Sequence, residues 1–485
     1  MGGGRGRRRP APLGSLALLT DLYELTMAQG FWRAGRAADE AVFHLTFRSH
    51  PFGSGFTVAC GLAPAVEYVE DFRFSDDDVR HLARLCDPHG GRLFDDAFLQ
   101  ALRDLVLEVD IDAVPEGTVV FPHEPLLRVR GPLLQCQLLE TSLLTIVNFQ
   151  TLIATKAARV RLAAGDDPIL ELGLRRAHGV DGGVAASRAA YVGGCTATSN
   201  VLAGRRYGIP VRGTHAHSWV MAFESELEAF EAWATAMPGS AVLLVDTYDS
   251  VGGVRRAIEV GHQLRAAGFE LAGVRLDSGD LVALSRRVRR LLDDAGFAQT
   301  EIVASGDLDE HRIAASKRAG AQVNVWGVGT RLVTAYDEPA LTGVYKLSAI
   351  RARGKAWRYP EKRSEQSEKR TMPGILQVLR YTRDGTFAGD AIVTEGEKAG
   401  KSIEVMSVGS PGRRLAVAGD GKPVRLLVPV VQGGRAAGPA ESLTTVRGRV
   451  TAQIAALPEG CRHLRQPASY PVGVSPGVRA LRSAR

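Results

Sequence analysis

The chain has 485 residues, 45% hydrophobic, 23% charged and 6% aromatic, with 54 glycines and 23 prolines. These values exclude collagen-like and wholly disordered chains, and the length allows about two or three domains with a large core. The net charge of +7 suggests nucleic acid only until it is located: Arg5, Arg7, Arg8 and Arg9 at one end and Arg479, Arg482 and Arg485 at the other account for all of it. Residues 10–478 are formally neutral, so the charge reads as two frayed tails rather than a binding face, and no nucleic-acid partner is expected.

No window approaches the roughly 18 uninterrupted apolar residues of a spanning helix, and no membrane association is expected. Arginines followed by an apolar stretch at 13–19 imitate a secretory signal. That stretch stops at Thr20-Asp21 and lacks a small-residue cleavage site. The five cysteines, Cys60, Cys86, Cys136, Cys195 and Cys461, are scattered, odd in number and without a Cys-x-x-Cys pair. They fit a reducing compartment, and a cytoplasmic protein is expected.

In chain order, residues 1–12 read as a disordered basic tail. From 13 to 130, short patterns mix: a helix at 21–32, an alternating strand at 41–48 and a turn-rich stretch at 51–55. Residues 131–347 have a regular beat. Apolar runs at 169–174, 209–212, 241–245, 271–276, 301–304 and 323–326 each end in a polar cluster, with helical patterns such as 281–295 and 309–319 between them. Recurrence about every 20–35 residues is the period of βα units on a parallel sheet. Polar residues at every strand C-terminus favour a (β/α) barrel with its active site at that end. Periodicity alone leaves an open doubly wound sheet as the alternative. Residues 348–470 change texture again, with a charged loop at 351–370 and strand patterns at 377–381 and 424–431. Residues 471–485 read as a second basic tail.

The strand-end clusters share a chemistry. A Gly-rich turn feeding a helix exposes backbone N–H groups and makes a phosphate cradle. Gly327-Val328-Gly329-Thr330 and Ser305-Gly306-Asp307 fit that role on neighbouring strand ends, although glycines also simply permit tight βα turns. Asp277-Ser278-Gly279-Asp280 puts two carboxylates at one strand end, suited to sugar hydroxyls or hydrated magnesium. A helix N-cap and a structural ion pair are the plain alternative for them. Arg275 shares a strand face with Asp277, and an arginine in a barrel mouth reads a carboxylate or phosphate in bidentate fashion. His215-Ala216-His217 looks like a metal-ligand pair, but only His262, His311 and His463 follow, the first two within helical patterns. One catalytic imidazole or a buried hydrogen-bonded histidine remains. The open-sheet phosphoribosyl site, with an adjacent acidic pair before a Thr/Gly loop, finds its nearest candidate at 243–249, which has no such pair.

These strings together resemble a known family. Thr20 to Met27, Glu140 through Asn148 to Lys156, Gly173-Leu174-Arg175-Arg176-Ala177-His178-Gly179, Gly213 to Trp219, Val274 to Asp280 and Gly327 to Thr330 occur in the order found in nicotinate phosphoribosyltransferases. The likeness covers about 13–380 and is looser beyond. Near Pro373-Gly374, where the family tends to carry a basic residue, this chain has Leu376.

The resemblance implies transfer of phosphoribose from phosphoribosyl pyrophosphate to nicotinate, giving nicotinate mononucleotide for NAD biosynthesis, coupled to ATP hydrolysis, with ATP and Mg²⁺ as cofactors. It implies an α/β fold in which an irregular (β/α) barrel packs against an α+β domain built from the N-terminal and C-terminal regions. It implies a homodimer whose partner closes the pocket. His217, the last residue of the Gly-Thr-x-Ala-His pattern, resembles the histidine that ATP phosphorylates, and His215 falls at the variable position. Thr214 and Arg275 resemble nicotinate contacts, and Tyr23 the aromatic over the pyridine face. Gly327, Gly329 and Thr330 resemble the 5′-phosphate site. Arg175, Asp277, Asp280 and Gly306 complete the expected phosphoribosyl pyrophosphate set. The nearest alternative is nicotinamide phosphoribosyltransferase. Quinolinate phosphoribosyltransferase is a shorter chain, and an RNA-binding protein would rest on the tails alone.

Overall fold

Three six-stranded sheets organise residues 16–361, 372–398, 400–410 and 412–483, the part of the chain that the computed structural model describes. The tail expected at 1–12 and residues 362–370 of the charged loop expected at 351–370 lie outside the described residues. The helix expected at 21–32 is Leu22–Arg33, with Asp21 at its N-cap position.

The strand Glu40–Phe47 lies between Leu127–Pro132 and Gly343–Arg351, antiparallel to both. Despite the alternating pattern at 41–48, Val42, Phe43, His44 and Leu45 are all buried. The reason is that both faces are covered. The helix Leu133–Leu138 packs on the strand, and His44 bonds Ser348 through Nδ1 and accepts from the Leu376 N–H at Nε2. Leu376 is itself core, 1% exposed, so a side chain at that position packs rather than reaching a ligand.

Gly343–Arg351 follows the barrel in sequence but belongs entirely to this N-terminal sheet. The change of texture expected at 347/348 therefore falls inside a strand, and the barrel has already ended. The strand expected at 424–431 is two strands in two sheets. Val424–Arg425 pairs with Leu376–Arg383, and Val428–Gln432 pairs with Asp110–Ala113. The Gln377 side chain breaks the run by bonding both the N–H and the C=O of Leu427. The N-terminal and C-terminal regions thus form one α+β body beside the barrel.

The stretch expected as a tail at 471–485 is part of the fold as far as residue 483. Val472–Val474 inserts between Thr386–Thr394 and Ser402–Ser407 in the interior of the C-terminal sheet. The helix Pro476–Ser483 follows, with Val478 fully buried. Counting arginines drew attention to charge, whereas the valines at 472, 474 and 478 supply the apolar face that docks it.

The barrel sheet is wholly parallel. Its order is Ala197–Thr198, Ile169–Glu171, Val325–Val328, Glu301–Ala304, Gly273–Leu276 and Val242–Leu244. The helices expected at 281–295 and 309–319 are Leu281–Asp294 and Glu310–Arg318, N-capped by Asp280 and Asp309. The strand expected at 209–212 is reduced to one parallel bridge between Val211 and Thr198. That segment closes the ring irregularly between the two outer strands.

Removing residues 471–485 takes an interior strand from the C-terminal sheet. We expect loss of cooperative unfolding and accumulation in the insoluble fraction, measured by circular dichroism melts and sedimentation. A truncated protein melting like the full chain would return this segment to the status of a tail.

Candidate active site

Arg275 and Asp277 point to the same side because they are two residues apart on Gly273–Leu276 and its continuation. The Arg275 side chain is 13% exposed. Its Nε donates to Ser305 Oγ at 2.8 Å, one terminal nitrogen to Thr214 Oγ1 at 2.9 Å and the other to Asp277 Oδ1 at 2.6 Å. A guanidinium has five N–H donors, so two remain for a ligand. Burial alone would raise the Asp277 carboxyl, but hydrogen bonds from Ser305 and Arg275 outweigh it and hold the group below the usual carboxylate range.

Asp246, at the end of the neighbouring strand, braces the same turn. Its Oδ2 accepts from the Asp277 N–H at 2.8 Å and the Ser278 hydroxyl at 2.7 Å. Its Oδ1 is buried without a hydrogen-bond partner among the described residues. The sequence offered a signal for it, since Asp246-Thr247-Tyr248-Asp249 is one of the strand-end clusters. It received no role because it lacks an adjacent acidic pair.

The two histidines of His215-Ala216-His217 have opposite environments. His215 is 5% exposed. Its Nε2 accepts from the Leu244 N–H at 3.2 Å, so Nδ1 carries the ring proton and faces the Ala216 carbonyl at 3.4 Å. Burial lowers its pKa to about 4, which leaves it neutral at pH 7. Both nitrogens are committed. His217 is partly exposed, and its Nδ1 lies 3.1 Å from Thr247 Oγ1. It stands close enough to Asp277 to contribute to that carboxylate's electrostatics, which places it beside the Arg275 cluster.

A cavity of about 730 Å³ opens beside this cluster at the C-terminal ends of the strands. Arg175, Arg275, Asp277 and Asp280 line it, as do Gly306, Gly327, Gly329 and Thr330. Close backbone approach explains Gly306. A Cβ there would lie 2.1 Å from the Asp277 carbonyl oxygen, and φ is +98°. The following Asp307 also has positive φ, at 50°. Asp280 lines the cavity while its Oδ1 caps Leu281–Asp294 through the N–H groups of Val282 and Ala283. Both plain alternatives weighed for the two carboxylates, a cap and an ion pair, are therefore realised in this mouth. Arg176 and Arg312 also line the cavity, and neither was singled out from the sequence.

Three expected residues, Thr214, His217 and Tyr23, are not among those that line the cavity; Thr214 reaches it through its bond to Arg275 and His217 stands on the same strand-end segment, whereas Tyr23 lies apart. It sits on Leu22–Arg33, 45% exposed, outside the residues that line the cavity. Burial first and then Glu140, Glu24 and Asp21 raise its hydroxyl pKa, which locates it at the start of the helix Glu140–Ala164. Within one chain it does not meet Arg275. Among the described residues, no cluster of three or more His, Cys, Asp or Glu side chains is arranged to hold a metal ion. No helix among them is long and apolar enough to cross a membrane.

Three sequence models of one family match successive parts of the chain. The sequence model of the nicotinate phosphoribosyltransferase (NAPRTase) N-terminal domain matches residues 18–148, that of the family matches 171–385, and that of the C-terminal domain matches 376–482. The nicotinate phosphoribosyltransferase of Bacillus subtilis is 47% identical over 367 residues, covering 76% of this chain and 73% of that one. A nicotinate phosphoribosyltransferase of Mycobacterium tuberculosis is 43% identical over 461 residues, 95% of this chain and 91% of that one. The crystal structure of human nicotinic acid phosphoribosyltransferase superposes with a TM-score of 0.84 at 34% identity, covering 96% of this chain and 99% of that one. A barrel of this topology, an α+β body built from both chain ends and matches across nearly the whole length make the chain a member of the nicotinate phosphoribosyltransferase family.

Proposed function

We propose that the protein transfers phosphoribose from phosphoribosyl pyrophosphate to nicotinate and couples the transfer to ATP hydrolysis through phosphorylation of His217. The observation that carries this reading is the Arg275 fork, which is held by Thr214, Asp277 and Ser305 with two donors free at the cavity. A guanidinium so fixed matches the pyridine carboxylate of nicotinate. Nicotinamide has no such charge, so the geometry favours nicotinate over the amide.

In the transfer, the pyridine nitrogen bonds to C1 of the ribose as the C1–O bond to pyrophosphate breaks, and the electron pair leaves with pyrophosphate. The centre passes through an oxocarbenium-like state, as in glycoside chemistry. The chain's part is to hold two anions, align the nitrogen and stabilise the departing charge. Gly327, Gly329 and Thr330 suit the 5′-phosphate, while Asp277 and Asp280 suit the ribose hydroxyls. Arg175 and the Gly306 turn suit the pyrophosphate. Mg²⁺ would be held by pyrophosphate oxygens together with one or two mouth carboxylates, Asp280 and Asp307 being nearest to hand, and would neutralise leaving-group charge.

His217 supplies the coupling. A ring proton on Nδ1 toward Thr247 leaves the Nε2 lone pair free to attack the terminal phosphorus of ATP. That P–N bond forms as the bond to ADP breaks, and water later cleaves it to release phosphate. Hydrolysis drives transfer when the phosphorylated and unphosphorylated forms bind substrates and products differently. Tyr23, exposed beside Leu16, Leu19, Leu22 and Met27, would cover a pyridine from the second subunit of a homodimer, which buries this apolar stretch. All five cysteines are free, in keeping with a reducing cytoplasm.

The direct test is mononucleotide formation from phosphoribosyl pyrophosphate, Mg²⁺ and ATP with nicotinate or nicotinamide in separate reactions. Product from nicotinate, increased by ATP, is expected; product from nicotinamide alone would overturn the role of Arg275. His217→Ala should remain folded yet lose both ATP stimulation and the acid-labile phosphate taken from labelled ATP. Retained label in that variant would refute the assignment. Arg275→Ala should raise the nicotinate KM by about 10- to 100-fold, the worth of a charged hydrogen-bonded pair. An unchanged nicotinate KM would make Arg275 a phosphate or structural group.

A further inference from the structure

The parallel sheet ends in two outer strands, Ala197–Thr198 and Val242–Leu244. The 209–217 segment spans the gap between them. On one side it pairs by backbone, with Thr198 N–H bonded to the Pro210 carbonyl at 3.0 Å and Arg212 N–H to the Thr198 carbonyl at 3.0 Å. On the other side the bond recorded to Val242–Leu244 comes from a side chain, His215 Nε2, which accepts the edge N–H of Leu244. The ring of the barrel is thus completed by an imidazole where a strand would place a carbonyl.

That imidazole stands between two functional residues. Thr214, one position before it, bonds Arg275. His217, two positions after it, bonds Thr247, which lies three residues beyond Leu244. The ring is also wedged against Trp233 at 5.0 Å and Phe230 at 6.2 Å between centroids. We propose that His215 is a positioning residue: its acceptor nitrogen pins the 213–217 segment to the Val242–Leu244 edge, and so sets the register of Thr214 against Arg275 and of His217 against Thr247.

The proposal deepens the reading of His217 given above and rests on it for one of its readouts. His215→Phe keeps a flat ring of similar size against Trp233 and Phe230 but removes the acceptor, leaving the Leu244 N–H buried and unpaired. His215→Gln restores an acceptor at the same number of bonds from Cβ. His215→Leu is a second acceptor-free filler should the phenylalanine variant not fold.

Three quantities are measured in each full-length variant: uptake of acid-labile phosphate from γ-labelled ATP, the nicotinate KM, and hydrogen exchange of the 241–249 peptide. The acceptor-free variant should lose about tenfold or more in phosphate uptake, raise the nicotinate KM and exchange faster at that peptide, as expected for one unpaired buried N–H. His215→Gln should recover most of each. Equal deficits in the glutamine and acceptor-free variants would reduce His215 to a space-filler and overturn the proposal, as would wild-type behaviour of the acceptor-free variant. If the wild-type enzyme takes up no phosphate, the reading of His217 fails. The strut is then decided by the nicotinate KM and the exchange rate alone.

Discussion

A single guanidinium organises the mouth of this barrel. Arg275 is held by its own strand through Asp277, by the next strand through Ser305 and by the gap-spanning segment through Thr214. Parallel strands in a barrel share no turns at this end, so the relative heights of their C-terminal loops must be set by side chains. Arg275 sets three of them at once, and Asp246 extends the brace to a fourth through Asp277 and Ser278. Of the groups that the proposed chemistry uses, Asp280 and Gly306 lie within two residues of those contacts.

Buried charge also joins the barrel to its neighbours. Glu116, from the N-terminal region, meets Arg188 of the helix Gly179–Val192 in a bidentate pair at 2.6 and 2.8 Å, and accepts from the Gly61 N–H as well. Glu310, at the head of a barrel helix, meets Lys156 and Arg159 of Glu140–Ala164. In the C-terminal sheet Arg380 pairs with Asp390, whose Oδ1 also takes the Tyr470 hydroxyl. Removing one partner of such a pair strands a charge in the core and costs about 3–5 kcal/mol. Orientation of the domains is thereby specified by polar groups that tolerate little displacement.

Much of this was legible in the sequence, and the parts that were not have physical reasons. Strand-end clusters announce themselves, because apolar runs and helix caps such as Asp280 and Asp309 are local signals. Which of two nearby histidines faces the ligand is not local. The partner of His215 is an edge N–H 29 residues further on, and nothing in His-Ala-His distinguishes an acceptor from a nucleophile. The break in 424–431 depends on the Gln377 side chain, some 50 residues earlier. Counting arginines misread 471–485, where three valines decide the outcome. Tyr23 was legible as a motif, but its place apart from the cavity depends on how remote segments pack, which the motif does not carry.

The pairing of Glu40–Phe47 with Gly343–Arg351 joins residues about 300 positions apart. At roughly 5–20 residues per second of translation, the earlier strand waits on the order of 15–60 s for its partner. The barrel lies between them and can form on the ribosome first. The interior place of Val472–Val474 delays completion of the last sheet until synthesis is nearly finished. Until their partners are made, Glu40–Phe47 and then Thr386–Thr394 each keep one bare β-edge, the kind of surface on which a growing chain mispairs.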